Sequence, residues 1–158
     1  FVEALGVPQD GAAGVFLLLK DTLELLEQSE NVQDILPILF RLRLASQQGY
    51  APALTACVSC GKKDFDHAGF LVSEGTIVCP DCVSGRGNIV EISGKSLDVL
   101  RQVQEVSPLH WHFLTSGSSE EAGGVLLPAE RRECARAVDG FVQYHLGLTW
   151  DRGRFRRM

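Results

Sequence analysis

Four of the five cysteines in this 158-residue sequence fall into two C-x-x-C pairs, Cys57-Val58-Ser59-Cys60 and Cys79-Pro80-Asp81-Cys82, with 18 residues between the pairs. Two intervening residues let both thiolates of a tight turn reach one tetrahedral ion at about 2.3 Å, and a second pair completes a four-coordinate shell. The spacing therefore predicts that two turns far apart in sequence meet around a single ion. Gly61, directly after Cys60, lets the backbone turn without a Cβ clash and frees amide groups to donate to the sulfurs. Between the pairs, Phe70-Leu71-Val72 and Thr76-Ile77-Val78 flank Ser73-Glu74-Gly75, the pattern of a hairpin that brings the cysteines together.

Because Cys57, Cys60, Cys79 and Cys82 fill every coordination position, none is left for water or substrate, and the predicted site is structural. The expected cofactor is one zinc ion, stapling a segment too short to bury a core of its own. Iron is chemically possible among four thiolates; zinc is the preferred reading. A thioredoxin-type dithiol needs its C-x-x-C at the start of a helix in a βαβ setting, which the flanking sequence lacks. A zinc deaminase shows H-x-E and then P-C-x-x-C, whereas Pro80 follows the first cysteine of its pair and none of His67, His110 and His112 is followed by x-Glu. Cys134 lies in a helical pattern and reads as a small buried hydrophobe. Trp111, between two histidines, reads as ordinary packing.

Paired cysteines of this kind point to a reducing compartment and not to a secreted disulfide framework. No secretory leader pattern follows Phe1, so the expectation is an intracellular chain cut from something longer. The longest apolar run, Val15 to Leu19, is interrupted by Lys20 and Asp21, far short of the roughly 20 residues needed to cross a bilayer. With 45% apolar and 22% charged residues the composition is globular. Twenty acids against 15 bases give −5, which excludes the chain as a whole as an electrostatic binder of nucleic acid and leaves only a local patch. Such a patch is present: from Arg131 onward seven arginines face three acids, a balance of +4 that leaves −9 on the preceding residues.

Outside the cysteine segment the pattern is helical. Val15, Leu18, Leu19, Thr22, Leu25 and Leu26 recur at three- and four-residue steps and predict a helix over about 12–29. Asp34 as N-cap and Pro37 in the first turn open a second helix over 35–48, with Leu36, Leu39, Phe40 and Leu44 inward and Gly49 as its left-handed stop. After a glycine-rich linker at 84–88, Ser93 caps a helix over about 94–106 carrying Leu97, Leu100 and Val103. Residues 116–124 read as a loop. Pro128 then starts a last helix through His145, with Cys134, Ala135, Val138, Phe141, Val142 and Leu146 inward and Gly147 as its stop. The expected fold is mainly α, a small helical bundle with an inserted zinc-ribbon-like hairpin module. Its expected parts are a helical segment (1–56), a four-cysteine module (57–83), and C-terminal helices that pack back on the first segment (84–158), ending in a basic tail (151–158).

Four features in order resemble the C-terminal part of the RecO recombination mediators. They are the Phe40-Arg41-Leu42-Arg43-Leu44 helix ending at Gly49-Tyr50-Ala51-Pro52, the C-x-x-C-Gly at 57–61, the Cys79-Pro80-Asp81-Cys82 pair, and a last helix carrying Tyr144-His145-Leu146-Gly147. The resemblance covers roughly residues 12–150. It implies a non-enzymatic DNA repair protein of the bacterial cytoplasm, nucleoid-associated, which works with RecR on single-stranded DNA coated by single-strand-binding protein, helps RecA replace that coat, and anneals strands. Family members add an N-terminal OB-fold. No five-strand alternating pattern occurs here, so the sequence reads as the helical and zinc portion.

The resemblance also implies an apolar cleft for the acidic, apolar-tipped tail of the single-strand-binding protein, rimmed by arginine, whose guanidinium pairs bidentately with carboxylate. Arg41, Arg43, Arg131, Arg132 and Arg136 are its candidates; Arg41 and Arg43 are two apart on one helix, so only one of them can serve. Arg152, Arg154, Arg156 and Arg157 follow the last helix as a basic end. They either neutralise the acidic body or, the reading favoured, reach DNA phosphate in a sequence-independent contact. The rival expectation is a zinc-stapled enzyme or adaptor unrelated to recombination, for which the sequence supplies no nucleophile–base pair, phosphate loop or carboxylate dyad.

Overall fold

A computed structural model describes residues 1–6, 11–28, 34–111 and 126–158. A short helix α1 (Val2–Leu5) precedes α2 (Ala12–Gln28) and α3 (Leu36–Gln47). Three strands follow, β1 (Ala53–Cys57), β2 (His67–Leu71) and β3 (Thr76–Val78), then a single 3-10 turn at Pro80–Cys82. Strand β4 (Ile89–Ser93) runs directly into α4 (Gly94–Glu105), and a second 3-10 turn, Pro108–His110, closes that region. The last helix, α5 (Pro128–Leu146), is followed by a hairpin of β5 (Leu148–Asp151) and β6 (Arg154–Arg157). The expected loop at 116–124 and His112 lie outside the described residues.

The helices follow their apolar periodicity. On α2 the buried stripe is Val15, Leu18, Thr22 and Leu25. Leu19 and Leu26, expected inward, are exposed with Phe16, Leu17 and Leu23, because a stripe with a 3.6-residue period leaves them to one side. On α3 the buried set gains Leu42 and Ala45, while Phe40 is only half-buried. Ile35, not Asp34, occupies the N-cap position of α3. Asp34 instead accepts from Arg131 Nη1 at 3.1 Å across to α5. Gly49 takes the predicted left-handed conformation with φ 86°. Ser93 caps α4, its hydroxyl accepting from the Ser96 amide. On α5 Ala137 is buried, and Ala135 and Leu146 are half-buried.

The β content exceeds the hairpin that the sequence predicts. The β2–β3 hairpin forms with Phe70 opposite Ile77. It becomes the centre of a four-stranded sheet of order β1-β3-β2-β4, in which β1 runs parallel to β3 and the other pairs are antiparallel. Alternation decides what each face meets. Leu54, Ala68, Phe70, Val72, Ile77 and Ile92 join the large core with the helices. Leu71, Val78, Ile89, Cys57, Cys79 and Cys82 form a separate small cluster on the opposite face. The strands of 57–83 thus serve both clusters at once. Gly69 faces the small one, where a Cβ would lie 2.7 Å from Ile89 Cγ2 and 3.1 Å from Val78 Cγ1. The close approach of β4 and β3 there requires glycine.

The basic end is structured. Arg152 and Gly153, with φ of 46° and 83°, make the two-residue turn of the β5–β6 hairpin, a pairing of positive φ values suited to strand twist. Arg157 donates to the Ala4 and Leu5 carbonyls at 3.2 and 3.0 Å, satisfying the open end of α1.

Candidate metal centre

The four candidate ligands come from two turns that the sheet holds side by side. Cys57 ends β1, and Cys60 sits in the turn after it, closed by Gly61 N–H donating to Cys57 O at 2.9 Å. Gly61 has φ 75°, the conformation its position after Cys60 predicts. Cys79 follows β3, and Cys82 comes back toward it through the Pro80 turn, its amide donating to Cys79 O at 3.0 Å. The parallel pairing of β1 with β3 therefore brings the two C-x-x-C turns together.

All four Sγ atoms lie within 4.8 Å of one another. The Cys60 and Cys79 sulfurs are 3.7 Å apart. A tetrahedron with metal–sulfur bonds of about 2.3 Å has edges of about 3.8 Å, so this separation fits a tetrathiolate ion. Backbone donors face the sulfurs as well, with Cys79 N–H donating to Cys57 Sγ at 3.3 Å. Burial opposes ionisation of Cys57, but the amides of Cys79, Cys60 and Ser59 outweigh it and bring the thiol down to about 6. Cys82 is pushed up to about 12 by the neighbouring thiols of Cys79 and Cys60. Cys60 is also raised: an amide contact from Lys62 favours its thiolate, but the thiols of Cys57 and Cys79 and burial prevail. One thiolate forms readily and its neighbours resist a second negative charge, the arrangement that a divalent cation relieves.

Three side chains that the sequence did not single out tie the sheet and its cysteine turns to their surroundings. Arg86 Nη2 donates to Ser59 Oγ at 2.7 Å while its Nη1 meets Glu74 at 3.3 Å, tying the first cysteine turn to the β2–β3 turn. Arg101 on α4 donates through Nε to Leu54 O at 2.7 Å and through Nη2 to Lys63 O at 3.3 Å, gripping β1 and the segment after Cys60. Glu133 on α5 accepts from Ser93 N–H at 3.0 Å and Ser96 Oγ at 2.9 Å. Burial raises its pKa, but these donors and Arg136 outweigh burial and hold the carboxyl below its ordinary value. The motif residue His145 also has a local role, its Nε2 lying 2.9 Å from Val72 O and so tying α5 to the β2–β3 turn. Cys134 is buried, and that burial pushes its thiol up to about 12.

The candidate arginines do not form one patch. Arg41 is ion-paired with Asp139 and lies 5.2 Å over the Phe155 ring. Arg43 is half-buried on the same helix. Arg131 and Arg132 flank a small cleft of about 170 Å³ between the first turns of α3 and α5, floored by Ile35, Ile38 and Ala135. Arg136 is exposed and lines a different cleft, with His67 and Glu91. Of the terminal group, Arg156 is 3.5 Å from Asp151 and Arg157 is bound to carbonyls, while Arg152 and Arg154 project from the hairpin.

A mainly helical domain wrapped on a small mixed sheet, with four thiols gathered at metal-ligating distances on the sheet's far face, is the class of protein that this fold and site define. The chain belongs to the family described as recombination protein O, C terminal, whose profile matches residues 1–154. It is 47% identical over 164 residues to the DNA repair protein RecO of Nitratidesulfovibrio vulgaris (strain DP4), a match covering all of this chain and 61% of that relative. The corresponding protein of Oleidesulfovibrio alaskensis is 42% identical over 160 residues, with 100% of this chain and 60% of the relative covered. That of Lawsonia intracellularis is 37% identical over 158 residues, with 100% and 61% covered. The chain therefore spans about three fifths of the length of these relatives. No solved structure matches it significantly. Among the described residues, no helix is long and apolar enough to cross a membrane.

Proposed function

We propose that this chain is a non-enzymatic binding module of a bacterial DNA repair and recombination mediator, acting in the cytoplasm at the nucleoid. The observation that carries the reading is the family match along 154 residues, to relatives named DNA repair protein RecO. One zinc ion on Cys57, Cys60, Cys79 and Cys82 has a structural role here, holding the outer face of the sheet; the tetrahedral spacing of the thiols supports it. In this reading the module works beside a RecR-like protein, on single-stranded DNA coated by single-strand-binding protein, in the exchange of that coat for RecA and in strand annealing.

The acidic, apolar-tipped tail of the single-strand-binding protein docks between α3 and α5. That cleft pairs an apolar floor with two guanidinium groups, of which Arg131 is steadied by Asp34 and Arg132 is exposed. Arg41, committed to Asp139, is the weaker candidate. Tail peptide titrated into the chain at moderate salt is expected to bind. Replacement of Arg132 by Ala is expected to weaken it about tenfold, the equivalent of one charge-assisted hydrogen bond of about 1.5 kcal/mol. No binding by the parent chain, or equal binding by the variant, removes this cleft from the reading.

A further inference from the structure

The aromatic content of the terminal hairpin is not used by the reading above. Trp150 pairs with Phe155 across β5–β6, their rings 5.0 Å apart and at 69°. Phe155 is fixed from two other sides, by the edge of Phe1 at 5.0 Å and by the Arg41 guanidinium. Trp150 is thus held by an immobilised ring yet remains 63% exposed. An exposed indole anchored in this way costs little to order when a planar ligand arrives. It forms one wall of a cleft of about 400 Å³ that is also lined by the polar side chains of Arg41, Gln143 and Asp139. The polar edge of a nucleobase needs donors and acceptors of that kind.

Charge names the occupant. From Leu148 to Met158 the hairpin carries four arginines against Asp151 alone, a balance of +3 on a chain of net −5. By register Trp150 and Phe155 share one face, and Arg154 and Arg156 share the other with Asp151 and Thr149. Arg152 sits in the turn, with a side chain 89% exposed. Arg154 has no ion-pair partner among the described residues. A two-stranded ribbon has only its own thickness between its faces. A flexible polyanion carrying planar rings can drape over such an edge, rings on one side and phosphates on the other.

We infer that the β5–β6 hairpin is a base-stacking site for single-stranded DNA, with a base on Trp150 and phosphates on Arg152 and Arg154. This rests on the DNA-repair reading and adds the residue on which an unpaired base is read. Duplex DNA, its bases already stacked inside, gains nothing from Trp150.

The two tryptophans make the test direct, because Trp111 is fully buried and only Trp150 can meet a base. The whole chain is titrated at low salt with oligo(dT) of about 15 nucleotides, following intrinsic fluorescence and, separately, the anisotropy of labelled oligonucleotide. Quenching of the exposed component is expected. Trp150→Ala should weaken binding about 5- to 150-fold, the range for loss of one stacked base, while Trp150→Phe keeps most of the affinity and loses the quenching. Arg152→Ala with Arg154→Ala should reduce the log–log salt slope by about 0.7 per lost phosphate contact. Binding of oligo(dT) with unchanged affinity in Trp150→Ala overturns the stacking site and leaves the DNA reading standing. Equal losses for single strand and duplex overturn it too, since Trp150 then acts through hairpin shape alone. No binding of oligo(dT) by the parent chain overturns both the stacking site and any phosphate contact by the hairpin arginines.

Discussion

The two faces of the central sheet are built from alternate residues of the same strands, yet they are held by different physics. On the helix side Phe70 and Ile77 enter a continuous apolar core with Val138, Phe141, Val142, Leu97 and Leu100, and burial stabilises that face. On the cysteine side only Leu71, Val78 and a few half-buried neighbours pack together. So small a cluster cannot offset the conformational entropy of ordering two turns, a task that coordination of an ion by the four thiols would perform. The difference gives a reason for the four thiols to be gathered on the face of the sheet that the helices leave uncovered. Where helices cover the sheet, apolar area suffices; where only loops cover it, a cross-link is needed.

The most severe way to break this asymmetry is to remove a ligand. Cys79→Ser is expected to abolish stoichiometric zinc and to open residues 57–83 to hydrogen exchange, since structural zinc sites in small modules carry about 10 kcal/mol or more of apparent binding energy. Far-UV helicity should persist, because the helix-side core contains no ligand. Elemental analysis and exchange mass spectrometry read both outcomes, and collapse of the helices would show that the two faces are not separable. The reciprocal change, Phe70→Ala, should lower global stability by about 3–5 kcal/mol in denaturant unfolding while zinc remains at one equivalent. Loss of zinc in that variant would show that the helix-side core positions the ligands.

A smaller effect sharpens the comparison at the seam where β4 becomes α4. Glu133→Gln should cost about 1–2 kcal/mol near neutral pH. The depressed pKa of Glu133 contributes stability that is complete above the ordinary carboxylate value and is lost as pH falls through the folded value. The gap between parent and variant should therefore close on acidification. Thiolate protonation is common to both proteins and cancels in the difference. Least of all, Arg86→Ala removes a surface brace between the cysteine turn and Glu74 and should cost about 0–1 kcal/mol. A zinc off-rate measured by chelator competition is the sensitive readout, and it should rise only modestly.

Some of this was open to inspection in the sequence. The cysteine spacing, the β2–β3 hairpin, the capping Ser93 and the left-handed Gly49 and Gly147 were all legible, because each depends on residues within a few positions of one another. Strand β4 left a trace in Ile89-Val90-Glu91-Ile92, hidden by the glycine-rich stretch before it. The closing hairpin left one in Asp151-Arg152-Gly153, where the run of arginines suggested a loose tail. Strand β1 left almost none. Ala53-Leu54-Thr55-Ala56 has a weak strand pattern, and it becomes a strand because β3 offers a parallel edge.

By itself, then, the sequence determined which side chains could ligate an ion and roughly where the four longer helices fall, since turn chemistry, helical period and thiolate spacing act over short range. Tertiary structure alone decided what the arginines do. Arg41 is committed to Asp139, 98 positions away, and Arg157 to carbonyls 152 and 153 positions away, while Arg131 finds Asp34 across two helices. It also left Trp150 outermost beside a polar cleft while burying Trp111. A guanidinium or an indole carries no local preference for one distant partner over another, so its role is set only when packing brings particular charges, carbonyls and rings within reach.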